Sequence, residues 1–141
     1  MLSVGGIAEG FVLDHIKAGK SMEIYKYLKL DQTDYTVAII RNARSNKMGR
    51  KDILKVECGI NDLDMDVLGF LDHTITVNII KDERIIEKKQ LQLPKEVHNI
   101  VKCKNPRCIT SIEQELEQVF VLTDPRKAVY RCKYCEERYK R

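Results

Sequence analysis

Hydrophobic and polar positions alternate along much of the first two thirds of the chain. Residues 7–16 read as a strand with Phe11 and Leu13 on one face. Gly19 interrupts it, and residues 21–30 return to helical spacing, with Ile24 and Leu28 one turn apart. Residues 35–41 are rich in β-formers. Residues 52–58 alternate cleanly, Leu54, Val56 and Cys58 facing one way and Lys55 and Glu57 the other. Asn61, Asp62, Asp64 and Asp66 suit the positive end of a helix whose apolar stripe is Leu63, Val67 and Leu71. Alternation resumes over residues 74–80, with Ile75, Val77 and Ile79 inward, and residues 84–93 can return as a further strand. The order strand, helix, strand, strand, helix, strand predicts an α+β fold, a ferredoxin-like sandwich with two helices on one face of an antiparallel sheet.

The pattern changes at Pro94. Residues 97–141 read as short strands, at 100–103, 118–122 and 129–132, with four of the five cysteines among them. So short a segment has little core of its own and commonly needs a metal or disulfides to fold. We therefore expect two domains, residues 1–96 and residues 97–141, the second small and all-β.

The cysteines run Cys103-x4-Cys108, then a gap of 23 residues, then Cys132-x2-Cys135. Two tight turns, each gripping one ion with a pair of thiolates, complete a tetrahedron. Zinc suits four sulfurs with no open position; iron in a rubredoxin-like site is the other occupant this set admits. Lys102, Lys104, Arg107, Arg131 and Lys133 lie beside the ligands and offset the charge of the thiolates. Such a site is structural, because every coordination position is taken. Cys58 stands alone and reads as a small buried hydrophobe.

Composition narrows the function. The chain has 141 residues, 33% of them charged, and 25 basic against 21 acidic residues give a net charge of +4, which favours anionic partners. Apolar runs such as residues 37–40 and 119–122 are too short for a membrane span or a signal peptide. The expected location is the cytoplasm, where cysteines stay reduced, with no membrane partner. Gly19-Lys20-Ser21 resembles the end of a phosphate loop, but the glycine required five positions earlier is Asp14, a carboxylate that repels phosphate. A better phosphate candidate is the pair Lys51 and Lys55, four apart and on one face of a strand, joined by Lys88 if the sheet brings its strand near; a solvated charged face is the alternative. Asp14 and His15 are adjacent, and adjacent residues of a regular strand face opposite ways, so no acid–base pair and no catalytic residue is expected.

Asp14-His15, Met48-Gly49-Arg50-Lys51-Asp52 with Lys55, Thr76-Val77-Asn78, and the cysteine set with Cys132-Lys133-Tyr134-Cys135-Glu136 occur in one order along nearly the whole chain. In that combination the sequence resembles the regulatory chains of aspartate carbamoyltransferase, the first committed enzyme of pyrimidine synthesis. The resemblance implies a non-catalytic allosteric subunit whose N-terminal domain binds the nucleotide effectors ATP or CTP. It implies that Asp14 and Lys88 handle the ribose and base regions, that Lys51 and Lys55 lie at or near the phosphates, and that Asn78, Ile80 and His15 belong to the pocket. It further implies that a zinc domain docks on the catalytic chain, with Asn105 and Glu136 as contacts, within an assembly of two catalytic trimers and three regulatory dimers. Gly5 and Glu83 depart from the acidic and aromatic residues of the family pattern near the pocket, and Arg107 from a small amide at the docking surface. The N-terminus is also slightly shorter than in the best-known members. The rival expectation is a zinc-ribbon nucleic-acid-binding protein, suggested by Arg126, Lys127, Arg131, Lys133, Arg138, Lys140 and Arg141. With 6% aromatic residues and no tryptophan, stacking platforms for bases are scarce, and no nucleic-acid partner is expected.

Overall fold

The computed structural model describes residues 6–140, which fall into two compact units dividing between Gln92 and Leu93. The N-terminal unit runs β1 (Gly10–Lys17), α1 (Ser21–Tyr27), β2 (Thr36–Ser45), β3 (Gly49–Glu57), α2 (Met65–Leu71), β4 (Thr76–Lys81) and β5 (Arg84–Gln90). Its strands form one antiparallel sheet in the order β2-β3-β1-β4-β5. Both helices cover one face. Ile24, Leu30, Leu63 and Leu68 share a single buried cluster with Phe11, Leu13, Leu54, Val56 and Val77. This is the α+β sandwich that the order of elements predicts, with β5 at one edge.

Local chemistry explains where the elements begin and end. α1 is shorter than the helix predicted over residues 21–30, because Lys29 turns to a left-handed φ of 57° and a 3-10 turn follows at Leu30–Gln32. No side chain caps α1 from its own N-terminus. That role falls to Asp52 of β3, which is fully buried. Its Oδ2 accepts from the Gly19 amide (3.1 Å), the Ser21 amide (3.2 Å) and the Ser21 hydroxyl (2.6 Å), and its Oδ1 from the Asn42 amide (2.8 Å). Burial by itself would raise this carboxyl; donation from Ser21, Asn42 and Gly19 outweighs it and holds Asp52 below the usual carboxylate range. The Gly19-Lys20-Ser21 turn thus spends its amides on an internal carboxylate, which is why it is no phosphate loop. α2 is capped more simply, by Asp64, whose side chain accepts from the amides of Asp66 (2.9 Å) and Val67 (3.3 Å).

β1 is irregular in two places. Gly10 has φ +148°, and a Cβ there would lie 2.0 Å from the Val56 carbonyl oxygen of β3, so the close pairing demands glycine. Further on, Leu13 pairs with Leu54 but Ile16 pairs with Asp52, so β1 holds one residue more than β3 between these points. That extra residue is a β-bulge, with His15 at a positive φ of 62°.

The C-terminal unit contains β6 (Glu96–His98), α3 (Ile109–Ile112), β7 (Val119–Asp124) and β8 (Val129–Cys132), with its strands ordered β6-β7-β8. The strand expected at residues 100–103 does not form. The chain is instead drawn into the first cysteine turn, where the Gln118 side chain accepts from the Cys103 amide (3.0 Å). The pairing strand is β6, with Val97 opposite Phe120. The His98 ring lies between the carboxylates of Glu117 and Glu96, and so joins β6 to the residues just before β7. Val97, Val101, Val119, Phe120, Val129 and Tyr130 are buried, and the Tyr130 hydroxyl donates to the Pro94 carbonyl (2.6 Å). Among the described residues no helix is long and apolar enough to cross a membrane.

Candidate effector face and metal centre

In the N-terminal unit the face away from the helices is set by strand register. Phe11, Leu13, Leu54 and Val77 point into the core, so Val12, Asp14, Lys55, Thr76 and Asn78 point the other way. Val12 pairs with Lys55 on β3 and with Asn78 on β4, and Asn78 pairs with Lys88 on β5. Lys55, Val12, Asn78 and Lys88 therefore form one row across four strands. Successive strands stand about 4.8 Å apart, so the two lysines bracket a floor of about 14 Å. Ile80, opposite Gly10, extends this face on one side of the row, and Thr76, opposite Asp14, extends it on the other. Val12 belongs to no motif; simple alternation with Phe11 and Leu13 inward is the signal that places it here.

Asp14 and His15 do not face opposite ways as a regular strand requires. The bulge turns His15 so that its Nδ1 lies 3.1 Å from the hydroxyl of Thr76, on the same open face as Asp14. They still form no acid–base pair. Asp14 Oδ1 takes the His15 backbone amide (2.7 Å) and the Lys51 ammonium (2.9 Å). Partial burial opposes ionisation of Asp14, but Lys51 and the His15 amide together hold its carboxyl below the ordinary range. The charge of Lys51 is thus already met within the protein, whereas no carboxylate among the described residues pairs with Lys55 or Lys88. All seven residues named for the nucleotide pocket, Asp14, His15, Lys51, Lys55, Asn78, Ile80 and Lys88, are brought to this one face. Glu83 sits in the β4–β5 turn, exposed, with its amide donating to the Ala8 carbonyl (3.0 Å); Gly5 lies outside the described residues. Cys58 is half-buried against the core, and burial beside Asp62 and Glu9 pushes its thiol up to about 11, so it stays neutral.

The other cysteines converge in the C-terminal unit. The sulfurs of Cys103, Cys108, Cys132 and Cys135 all lie within 4.8 Å of one another. Cys103 and Cys135 are 3.5 Å apart and Cys108 and Cys132 3.7 Å, too far for disulfides. Sulfurs bound tetrahedrally at about 2.3 Å stand about 3.8 Å apart, so the set fits one such ion. Two turns build it. Asn105 shapes the first, its Oδ1 accepting from the Arg107 amide (3.0 Å) and its carbonyl from the Cys108 amide (3.1 Å). In the second, the Glu136 amide donates to the Cys132 carbonyl (2.9 Å) with Glu136 at a left-handed φ of 65°. Burial pushes the Cys103 thiol up to about 12. Cys108 resists by burial as well, but donation from Thr110, with Cys132 and Cys135, brings it down to about 7. A bound divalent ion favours all the thiolates at once. Asn105 and Glu136 both lie in the ligand turns, Glu136 exposed and Asn105 half-buried.

The fold and site together define a two-unit protein: an α+β sandwich with a polar open face, followed by a small sheet that carries a closed four-thiolate metal centre. Two family models match, the allosteric domain of the aspartate carbamoyltransferase regulatory chain over residues 2–92 and its metal binding domain over residues 95–141. Curated relatives named aspartate carbamoyltransferase regulatory chain include one from Clostridium acetobutylicum, 54% identical over 99% of this chain and 95% of its own. Others are from Clostridium botulinum, 52% identical over 99% and 94%, and Bifidobacterium longum, 40% identical over 99% of both chains. The chain belongs to the aspartate carbamoyltransferase regulatory chains, the non-catalytic partner of that enzyme's catalytic chain.

Proposed function

We propose that the open face of the N-terminal unit is a sensor for the nucleotides ATP and CTP in the control of pyrimidine synthesis. The observation that carries this reading is the register row Lys55–Val12–Asn78–Lys88, in which two uncompensated ammonium groups bracket a floor of mixed polarity. Lys55 and its neighbour Lys51 take the phosphates. Asp14, with Oδ2 still open for a hydroxyl donor, and Lys88 take the ribose and base regions, and Asn78, Ile80 and His15 line the walls.

The C-terminal unit holds zinc through Cys103, Cys108, Cys132 and Cys135, as an ion that shapes a docking surface instead of doing chemistry. Asn105 and Glu136 contact the catalytic chain, in a cytoplasmic assembly of two catalytic trimers bridged by three regulatory dimers. Effectors act by binding two arrangements of that assembly unequally, with the segment around Pro94 carrying the change between units; a coupling of about 1–3 kcal/mol is typical of such control.

The test is calorimetric titration of ATP and CTP into the assembled enzyme carrying Lys55→Gln or Lys88→Gln. Each lost ammonium contact to the nucleotide weakens binding about tenfold, or about 1.4 kcal/mol, with assembly unchanged. Binding curves that match wild type for both variants refute the site.

A further inference from the structure

We propose that the metal unit receives an acidic segment of the catalytic chain along a basic strip beside its first cysteine turn; this rests on the reading above that the unit docks on that chain. Two cavities, of about 350 and 320 Å³, share Arg138, Tyr139 and Lys140 as lining. Lys102 and Lys104 complete the basic side of the first, and Lys127 that of the second. Against these five cations the linings hold one carboxylate, Glu137. No carboxylate among the described residues pairs with any of the five.

Charge is partitioned along the chain in the same sense. Residues 93–141 carry eleven lysines and arginines against seven aspartates and glutamates, while residues 1–92 balance at fourteen of each. The whole net charge of +4 therefore belongs to the metal unit. The thiolates offset part of it at the first cavity, which Cys103 lines, but no cysteine lines the second, where Lys127, Arg138 and Lys140 meet.

The strip is held in place by backbone. The Cys132 amide donates to the Glu137 carbonyl (2.9 Å) and the Tyr139 amide to the Tyr130 carbonyl (2.8 Å), so residues 137–139 lie along β8. Tyr139 meets Phe120 edge-on, with ring centroids 5.7 Å apart. A fixed row of unpaired cations around a half-buried aromatic suits carboxylates on a polypeptide, where complementary charge sets specificity and association rate. Stacked bases suit it poorly: Phe120 is buried at 2% exposure, which leaves Tyr139 as the one ring at the strip.

The experiment is sedimentation of the full, metal-loaded chain with the catalytic chain of the same organism, from about 50 to about 400 mM salt. The variant is Arg138→Glu with Lys140→Glu, checked for one metal per chain and an unchanged far-ultraviolet dichroism spectrum. We expect mixed assembly to weaken at least about tenfold in the variant and to weaken with salt in the wild type. Arg138→Lys with Lys140→Arg should assemble as wild type. Should the double reversal perturb the metal turn, Lys127→Glu, in the second cavity, is expected to give a smaller loss in the same direction. Wild-type assembly by both reversed proteins overturns the proposal, as does single-stranded DNA that binds the wild type and is lost in the double reversal while mixed assembly persists. A wild-type chain that forms no mixed assembly at all overturns the docking reading, and this proposal with it.

Discussion

Asp52→Asn is the sharpest probe of how the N-terminal unit is held together. The substitution keeps the shape of the side chain and removes its charge. If the amide oxygen takes the Oδ2 position it keeps the two donors of Ser21 and the Gly19 amide, but the NH2 group then faces the Asn42 amide, donor against donor. One hydrogen bond to a charged acceptor is lost outright and three become bonds to a neutral one. At about 1.5–3 kcal/mol for a charged bond against about 1 for a neutral one, the lost bond and the three weakened ones together cost about 3 kcal/mol or more. With a urea slope of about 1–1.5 kcal/mol/M for a domain of this size, the midpoint should fall by about 2 M or more. The assay is urea titration of the metal-loaded chain followed by far-ultraviolet dichroism.

Acid adds a second arm with a definite sign. The Asp52 carboxyl is depressed in the folded state below the ordinary aspartate value of 3.8, so its contribution is complete above that value and is lost as pH falls through the lower folded value. The gap between wild type and variant is therefore widest at neutral pH and closes below about pH 4. A variant with the wild-type midpoint at pH 7 would refute the reasoning, and so would a gap that stays constant into strong acid.

Replacing Cys108 with serine, or stripping the metal with a chelator, should unfold the C-terminal unit and leave the N-terminal sheet intact; hydrogen exchange read separately over the two units checks this, and protection retained over β7 and β8 would contradict it. Asp14→Asn releases Lys51 from an ion pair whose side chains are 17% and 24% exposed, so tripolyphosphate should bind more tightly and nucleosides more weakly; equal shifts for both by calorimetry would contradict that division of roles. His98 faces Glu117 and Glu96, which raise it above 6.5, so its charged bridge is complete below that value and is lost as pH rises through the higher folded value. An NMR titration of the ring should show that raised midpoint, and Glu117→Gln should lower it.

What was legible in the chain was whatever its neighbours in sequence decide. The alternation over β3 and β4 and the spacing of the four cysteines are local patterns, and both survive folding unchanged. Asp52 was not legible as a cap, because its donors lie 10 to 33 residues away and nothing local marks it. The bulge at His15 was hidden for a similar reason: it exists only in the register between β1 and β3. Ile100 and Val101 read as the start of a strand, but the demand of Cys103 for a tight turn overrides their propensity, and the true strand, Glu96–His98, offers only Val97 as an apolar signal. The open face was half legible. Lys51, Lys55 and Lys88 could be named, but only the pairing of Val12 with both Lys55 and Asn78 sets the distance between them.

The bulge in β1 has a meaning for how such a face can be altered by mutation. Take His15 out of the chain and Leu13, Asp14 and Ile16 alternate inward, outward, inward, as a regular strand does. One added residue therefore places a second functional group beside Asp14 while every core position keeps its side. Strands usually tolerate single-residue insertions badly, since a slip of one exchanges the two faces beyond it. Here the left-handed turn at His15 absorbs the slip where it arises, so the ligand-facing surface can gain chemistry in a step that leaves the core pattern of β1 intact.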